Sequence, residues 1–302
     1  GEWGMGASLV AEAWPEERRI MGGSLVHTGY YFGFFLAAIA NYFIGSHFGW
    51  RYMFVVGGAP ALVVVFLRRG IHEPDRWKYK REELKQKFRM HHSFLAIFAP
   101  QYRRRSILNA TFMLASIIGL WGGSVYVPTA ITYLATTAGH TTEEAARLAS
   151  YGTALLAVGT ILGALVVPLI AKRTGRRITL GIFFAIMAVF IWLAFGYVFY
   201  MQASALPWFM VCIFLLGVGG ANFVVYSFWL PEQYPTECRA SAFAFATNIG
   251  RFAGAGFTFL VAAGIHHYQT LGIPVAMTAL AFVAGILLLP FGEETKGKSL
   301  PA

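Results

Sequence analysis

Two ionisable residues stand where charge is costly. Arg251 lies inside an apolar run, twelve residues past Arg239, which on a helix is about 18 Å at 1.5 Å per residue. Glu2 precedes Pro15 by thirteen residues in another apolar run. If both runs cross a bilayer, both side chains lie near its middle, where ionisable groups mark substrate or ion paths. A guanidinium is permanently charged and offers a planar fork that fits a carboxylate. A carboxyl withdrawn from water keeps its proton to higher pH and can carry one. The two positions therefore predict an organic anion bound at Arg251 and a proton carried by Glu2. Polar side chains expected to line the same space are Asn109, Trp121, Tyr126, Asn222 and Tyr226, with His27 and Asn41 as further candidates.

A second set of charges repeats. Glu12-Ala13-Trp14-Pro15-Glu16-Glu17-Arg18-Arg19 and Glu232-Gln233-Tyr234-Pro235-Thr236-Glu237-Cys238-Arg239 both read Glu-x-x-Pro-x-x-x-Arg. They lie 220 residues apart, each between an apolar run and a Gly/Ala-rich one. Equivalent segments in the same order predict a duplicated half, as in transport proteins built from parallel repeats. Glu12 and Glu232 are expected to bridge to Arg19, Arg239 or the basic turn Lys172-Arg173-Thr174-Gly175-Arg176-Arg177. Such bridges would close one end of the molecule when formed and open it when broken.

Other chemistry is absent from the sequence. It has no His-Glu-x-x-His, no Gly-x-Ser-x-Gly and no phosphate loop, so no enzyme is expected. His91-His92 and His266-His267 have no third ligand nearby, so neither predicts a metal site, and no cofactor is expected. Cys212 and Cys238 do not form a disulfide framework.

Apolar helices must position these residues. The 302 residues are 57% hydrophobic and 13% charged, against about 25% charged in soluble domains. An all-α membrane protein follows, with the bilayer, a small-molecule substrate and a proton as partners, and a monomer as the expected state. Apolar spans run at about 22–45, 52–67, 106–135, 149–171, 178–200, 206–230, 240–264 and 273–291, after a shorter one ending near Trp14. A spanning helix needs about 20 residues, so the chain is expected to begin within one, with about three spans before it.

The net charge of +10 does not predict nucleic-acid binding, because the charges lie in loops on one side. If the spans alternate, 21 of the 24 Lys and Arg fall on that side. The positive-inside rule makes it cytoplasmic, with the C-terminus, in a bacterial inner membrane. Twelve of the 24 lie from Arg68 to Arg105, expected to be a cytoplasmic linker between residues 1–67 and 106–302. Gly29/Gly33 and Gly159/Gly163 have the spacing that lets helix backbones approach closely.

Several stretches resemble the major facilitator superfamily of secondary transporters. Gly1–Arg19 is similar to its fourth helix and following loop, and Pro231–Arg239 to the counterpart after the tenth. Lys172–Arg177 resembles the basic loop between helices eight and nine, with Lys172 where an Asp is common. Glu73-Pro74-Asp75-Arg76-Trp77 and Glu293-Glu294-Thr295-Lys296-Gly297 are similar to two loop motifs of sugar porters. The resemblance implies helices four to twelve of a fold with two six-helix halves. Registering on Tyr126, Pro128 and Thr129 puts Ala115 and Ser116 where sugar porters carry a hexose-binding Gln pair. The opening Gly-Glu-Trp-Gly-Met and Leu9–Pro15 look more like sialic-acid and related metabolite:proton symporters. Proton-coupled symport of a small organic acid by alternating access is the expectation. A sugar or polyol porter, an efflux pump and a membrane sensor without flux are the alternatives.

Overall fold

A computed structural model describes residues 2–45, 48–67, 94–120, 124–201 and 204–301. Twelve α-helical segments are described: α1 (Glu2–Ala13), α2 (Arg19–Ala40), α3 (Trp50–Leu67), α4 (Pro100–Leu120), α5 (Val127–Thr137) and α6 (Thr142–Thr174), then α7 (Arg176–Ile191), α8 (Ala205–Gly220), α9 (Asn222–Trp229), α10 (Thr236–Tyr268), α11 (Gly272–Met277) and α12 (Ala279–Leu288). No strand occurs among the described residues. The expected linker falls mostly on residues 68–93, which lie outside them, as does Trp121.

Among the described residues, six helical stretches are long and apolar enough to cross a membrane: Glu16–Gly45, Thr142–Thr174, Arg176–Tyr200, Ala205–Gln233, Thr236–Tyr268 and Gly272–Phe291. Trp50–Val64 is a shorter apolar helix. The helix ends follow local chemistry. Thr141 opens α6 with a capping box: its hydroxyl accepts from the Glu144 N–H at 3.3 Å, and the Glu144 carboxylate accepts from the Thr141 N–H at 2.9 Å. Two orphan donors are thereby satisfied at once. At the other end Gly175 takes φ 89°, open to glycine, and turns the chain into α7. Pro235, extended at ψ 158°, starts α10 as Pro15, at ψ 144°, starts the turn before α2.

Small residues set the closest packing. A Cβ on Gly159 would lie 2.2 Å from the Phe214 carbonyl oxygen, and one on Gly163 2.5 Å from that of Val218. From the α8 side, a Cβ on Gly217 would lie 2.3 Å from the Leu156 carbonyl oxygen. These helices touch backbone to backbone. Among the described residues, a Cβ on Gly29 or Gly33 meets nothing within 4 Å. Spacing puts both on one face of α2, but the helix presents other faces to α6 and α9. Gly23 carries the close approach instead, with a Cβ 3.2 Å from the Ser227 carbonyl.

Because the α6–α8 contact is to backbone, an added methyl has no flexible neighbour to displace. Gly159→Ala and Gly217→Ala should each destabilise by about 1–3 kcal/mol. Thermal unfolding in detergent checks this; an unchanged midpoint would refute backbone contact there.

Candidate functional site

Arg251 lies on α10 and lines a cavity of about 370 Å³. The cavity lies between α1, α2, α4, α9 and α10. Trp3 enters from α1, His27, Tyr30 and Tyr31 from α2, and Phe223 from α9. Thr247, one turn before Arg251, lies on the same face of α10.

The walls are flat rings. Trp3 and His27 have ring centroids 4.7 Å apart, and His27 stacks on Phe223 at 6.0 Å. Trp3 meets Phe243 edge-on at 4.9 Å. Most polar atoms here are already bonded. The Trp3 Nε1–H donates to Ser227 Oγ at 3.0 Å, the Tyr31 hydroxyl to the Gly220 carbonyl at 2.9 Å, and the Thr247 hydroxyl to the Phe243 carbonyl at 2.8 Å. No described hydrogen bond or ion pair engages the Arg251 guanidinium. Among the described residues it is the one charged group on this cavity wall.

A second cavity of about 270 Å³ shares Tyr30, Tyr31 and Leu120 with the first. It continues past Ser124, Pro128 and Thr153, away from the basic turn. A larger groove of about 600 Å³ between α4, α10 and α12 contains no charged residue. Its rims, Leu260 and Leu280, are more than 60% exposed, so it lies on the outside of the bundle.

Ion pairs tie helix ends together on the basic face. Arg239 reaches Glu12 at 2.6 Å, tying α10 to the end of α1. Its Nε–H also donates to the Pro231 carbonyl at 3.0 Å. Arg176 binds Glu232 through two donors, at 2.7 and 2.9 Å, with both side chains buried. The Thr295 hydroxyl adds a 2.5 Å bond to the same carboxylate. Glu294 accepts from the backbone N–H groups of Arg176 and Arg177 at 3.0 and 3.2 Å, at the start of α7. Burial would raise the Glu294 carboxyl, but N–H bonds from Arg176, Arg177 and Lys296, with the Arg176 charge, hold it below the ordinary carboxylate range.

Other expected positions divide. Arg19 pairs with Glu16 at 3.3 Å rather than with Glu12 or Glu232, since it shares a helical turn with Glu16. Lys172 and Arg173 have exposed side chains; the Arg173 carbonyl accepts from Lys296 at 2.7 Å. Arg177 donates to the Pro290 carbonyl at 3.1 Å. Asn109 does not line the Arg251 cavity. It is nine residues into α4 and bonds Gln233 at 3.0 Å and Tyr234 at 3.2 Å near the basic face. Asn222 is fully buried at the break between α8 and α9, donating to the Gly219 carbonyl at 3.0 Å, and its Oδ1 has no partner. Tyr226 is also off the cavity wall, sharing a 2.9 Å bond with Ser116. Tyr126 opens α5 outside both cavities, half-buried. Asn41 donates to Ser150 at 3.0 Å across α2 and α6. Glu2 begins α1, and its side chain lies outside the described residues.

Trp3, Tyr30, Tyr31, Phe223 and Thr247 were not singled out by the sequence. Helical spacing could have found three: Tyr30 and Tyr31 follow His27 by three and four residues, and Thr247 precedes Arg251 by four. The tail residues Glu294 and Thr295 stood out as a motif but not as part of the closed face.

Removing one partner of a buried pair leaves the other uncompensated, at about 3–5 kcal/mol. Glu12→Gln should therefore open the basic face. A cysteine at buried Ser227, with Cys212 and Cys238 replaced by Ser, should be labelled by maleimide more than about tenfold faster in that background. Unchanged labelling would show that the pair does not hold the face closed.

The Major Facilitator Superfamily profile matches residues 1–159, and the Sugar (and other) transporter profile matches residues 129–302. A Haemophilus influenzae relative named for metabolite transport is 30% identical, over 99% of this chain and 72% of its own. The niacin transporter NiaP of Acinetobacter baylyi is 24% identical, over 99% of this chain and 71% of its own. The structure of the proton:xylose symporter XylE bound to 6-bromo-6-deoxy-D-glucose superposes with a TM-score of 0.72 at 21% identity. That match covers 97% of this chain and 68% of XylE.

Proposed function

The chain belongs to the Major Facilitator Superfamily, and from that premise we propose that this multi-pass membrane protein transports a small planar organic acid together with a proton, by alternating access. The observation that carries the reading is Arg251, a permanent cation on the wall of an aromatic-sided cavity with no described carboxylate against it. A bound carboxylate would supply the missing partner, with the rings of Trp3, His27 and Phe223 as flat walls for an unsaturated body. The relative named for niacin, a pyridine carboxylic acid, supports this class of substrate.

The closed basic face and the cavity running away from it support one end-state of alternating access. On the charge distribution, the closed face is cytoplasmic in a bacterial inner membrane, with the C-terminus on that side.

A sugar porter is the second reading, favoured by the Sugar (and other) transporter match and the fold of XylE. The donors available argue against it. A hexose needs partners for several hydroxyls, whereas the indole, the Tyr31 hydroxyl and the Thr247 hydroxyl already donate within the protein. At the position registered on the sugar porters' Gln pair, Ala115 has no polar side chain, and Ser116 is taken by Tyr226.

Weakly buffered proteoliposomes test the proposal. Benzoate, nicotinate, lactate, shikimate and sialate are added in turn, then hexoses, while external pH is followed. Alkalinisation with one acid, reduced at least about a hundredfold in Arg251→Gln, is expected. A response to hexoses alone, or an acid response untouched by Arg251→Gln, would refute it.

A further inference from the structure

We propose that His27 takes up the proton that accompanies the substrate, binding it at Nδ1 while Nε2–H stays on Tyr31. The proposal rests on the reading of Arg251 as the anion's partner and adds the group that answers it.

The hydrogen-bond chain fixes the tautomer. The Tyr31 hydroxyl has one proton and gives it to the Gly220 carbonyl at 2.9 Å, an oxygen that can only accept. The contact of 3.3 Å between His27 Nε2 and Tyr31 Oη must therefore be donated by the imidazole. In a neutral ring the other nitrogen then carries the lone pair. Nδ1 is then the basic atom of a residue that lines the cavity.

The groups around His27 make that site respond to an anion. From α10, Arg251 shares the cavity. From α2 come Tyr30, stacked at 5.8 Å, and Tyr31. From α9 comes Phe223, with Tyr226 behind it and hydrogen-bonded to Ser116. From α4 come only Ile117 and Leu120. From α1 comes Trp3; the Glu2 side chain is outside the described residues. An anion held at Arg251 would bring negative charge into the cavity that His27 also lines, so protonation of His27 and binding of the acid would favour each other. The proton adds to the Nδ1 lone pair from one aqueous side and returns to water on the other, with no bond of the substrate made or broken.

The test uses purified protein in weak buffer near neutral pH with a pH-indicating dye, adding whichever of benzoate or nicotinate binds more tightly. About one proton per anion bound is expected in the wild type. In His27→Gln the acid should still bind, without proton uptake and with affinity nearly independent of pH. Proton uptake unchanged in a His27→Gln protein that binds the acid would overturn the assignment and leave the Arg251 reading standing. Failure of the wild type to bind any of benzoate, nicotinate, lactate, shikimate and sialate would overturn both. Should His27→Gln not fold, Trp3 reports instead, because an imidazolium 4.7 Å from an indole quenches its fluorescence. The Trp3 emission, taken as wild type minus Trp3→Phe, should quench as pH falls. Its midpoint should move up by about one unit or more with benzoate bound, and a fixed midpoint would overturn the proposal.

Discussion

A guanidinium withdrawn from water must be bonded by something, and the arginines of this bundle divide on that requirement. Arg176 has a bidentate carboxylate, and Arg239 has Glu12 together with backbone carbonyls. Those bonds close one end of the molecule. Arg251 is instead an exposed residue that lines a cavity, with no such shell among the described residues. Under the proposed function, the charge that is tied down in one place would be left to receive an anion in the other.

The duplicated motif satisfies the demand unequally. Glu12 and Glu232 occupy equivalent positions, yet Glu12 reaches across to Arg239 while Glu232 is held by Arg176 and Thr295. Both Glu232 partners lie in the later part of the chain, as does the tail that Glu294 fastens to the start of α7. Relative motion of the halves would carry the Arg176–Glu232–Thr295 cluster as a unit. The Glu12–Arg239 bond alone of these two would have to break.

Much of this was legible in the sequence because membrane chemistry limits the choices. Apolar runs of the right length gave the helices, and the Glu-x-x-Pro-x-x-x-Arg repeat gave the charges of the closed face. Arg251 stood out as an ionisable residue inside a span. Partner identity was not legible. Asn109 looked like a cavity residue, but a difference of a few residues along α4 decides whether a side chain meets the cavity or Gln233. Gly29 and Gly33 had the right spacing, but spacing cannot say which helix face has a neighbour. The aromatic walls were illegible for a related reason. In a chain this rich in Phe, Tyr and Trp, ring identity does not distinguish a cavity wall from a lipid-facing surface.

Polar bonds between the halves are spread along the membrane normal, and their strengths differ. Near the basic end is the charged Glu12–Arg239 pair. Deeper come two neutral bonds, Trp3 to Ser227 and Tyr31 to Gly220. Beyond them, toward the other face, Asn41 bonds Ser150. A neutral bond is worth about 0.5–1.5 kcal/mol net, less than a charged one. Under the proposed function, rocking that opens the basic end would have to break the strongest of these ties. A bound anion and its proton would change that balance at the middle of the series. His27 donates to the same Tyr31 that holds Gly220. An imidazolium donates more strongly than a neutral ring, which polarises the hydroxyl and tightens its bond to the carbonyl. Loading would thus strengthen the central tie, about which the halves can turn, while the tie at the basic end is left to give way.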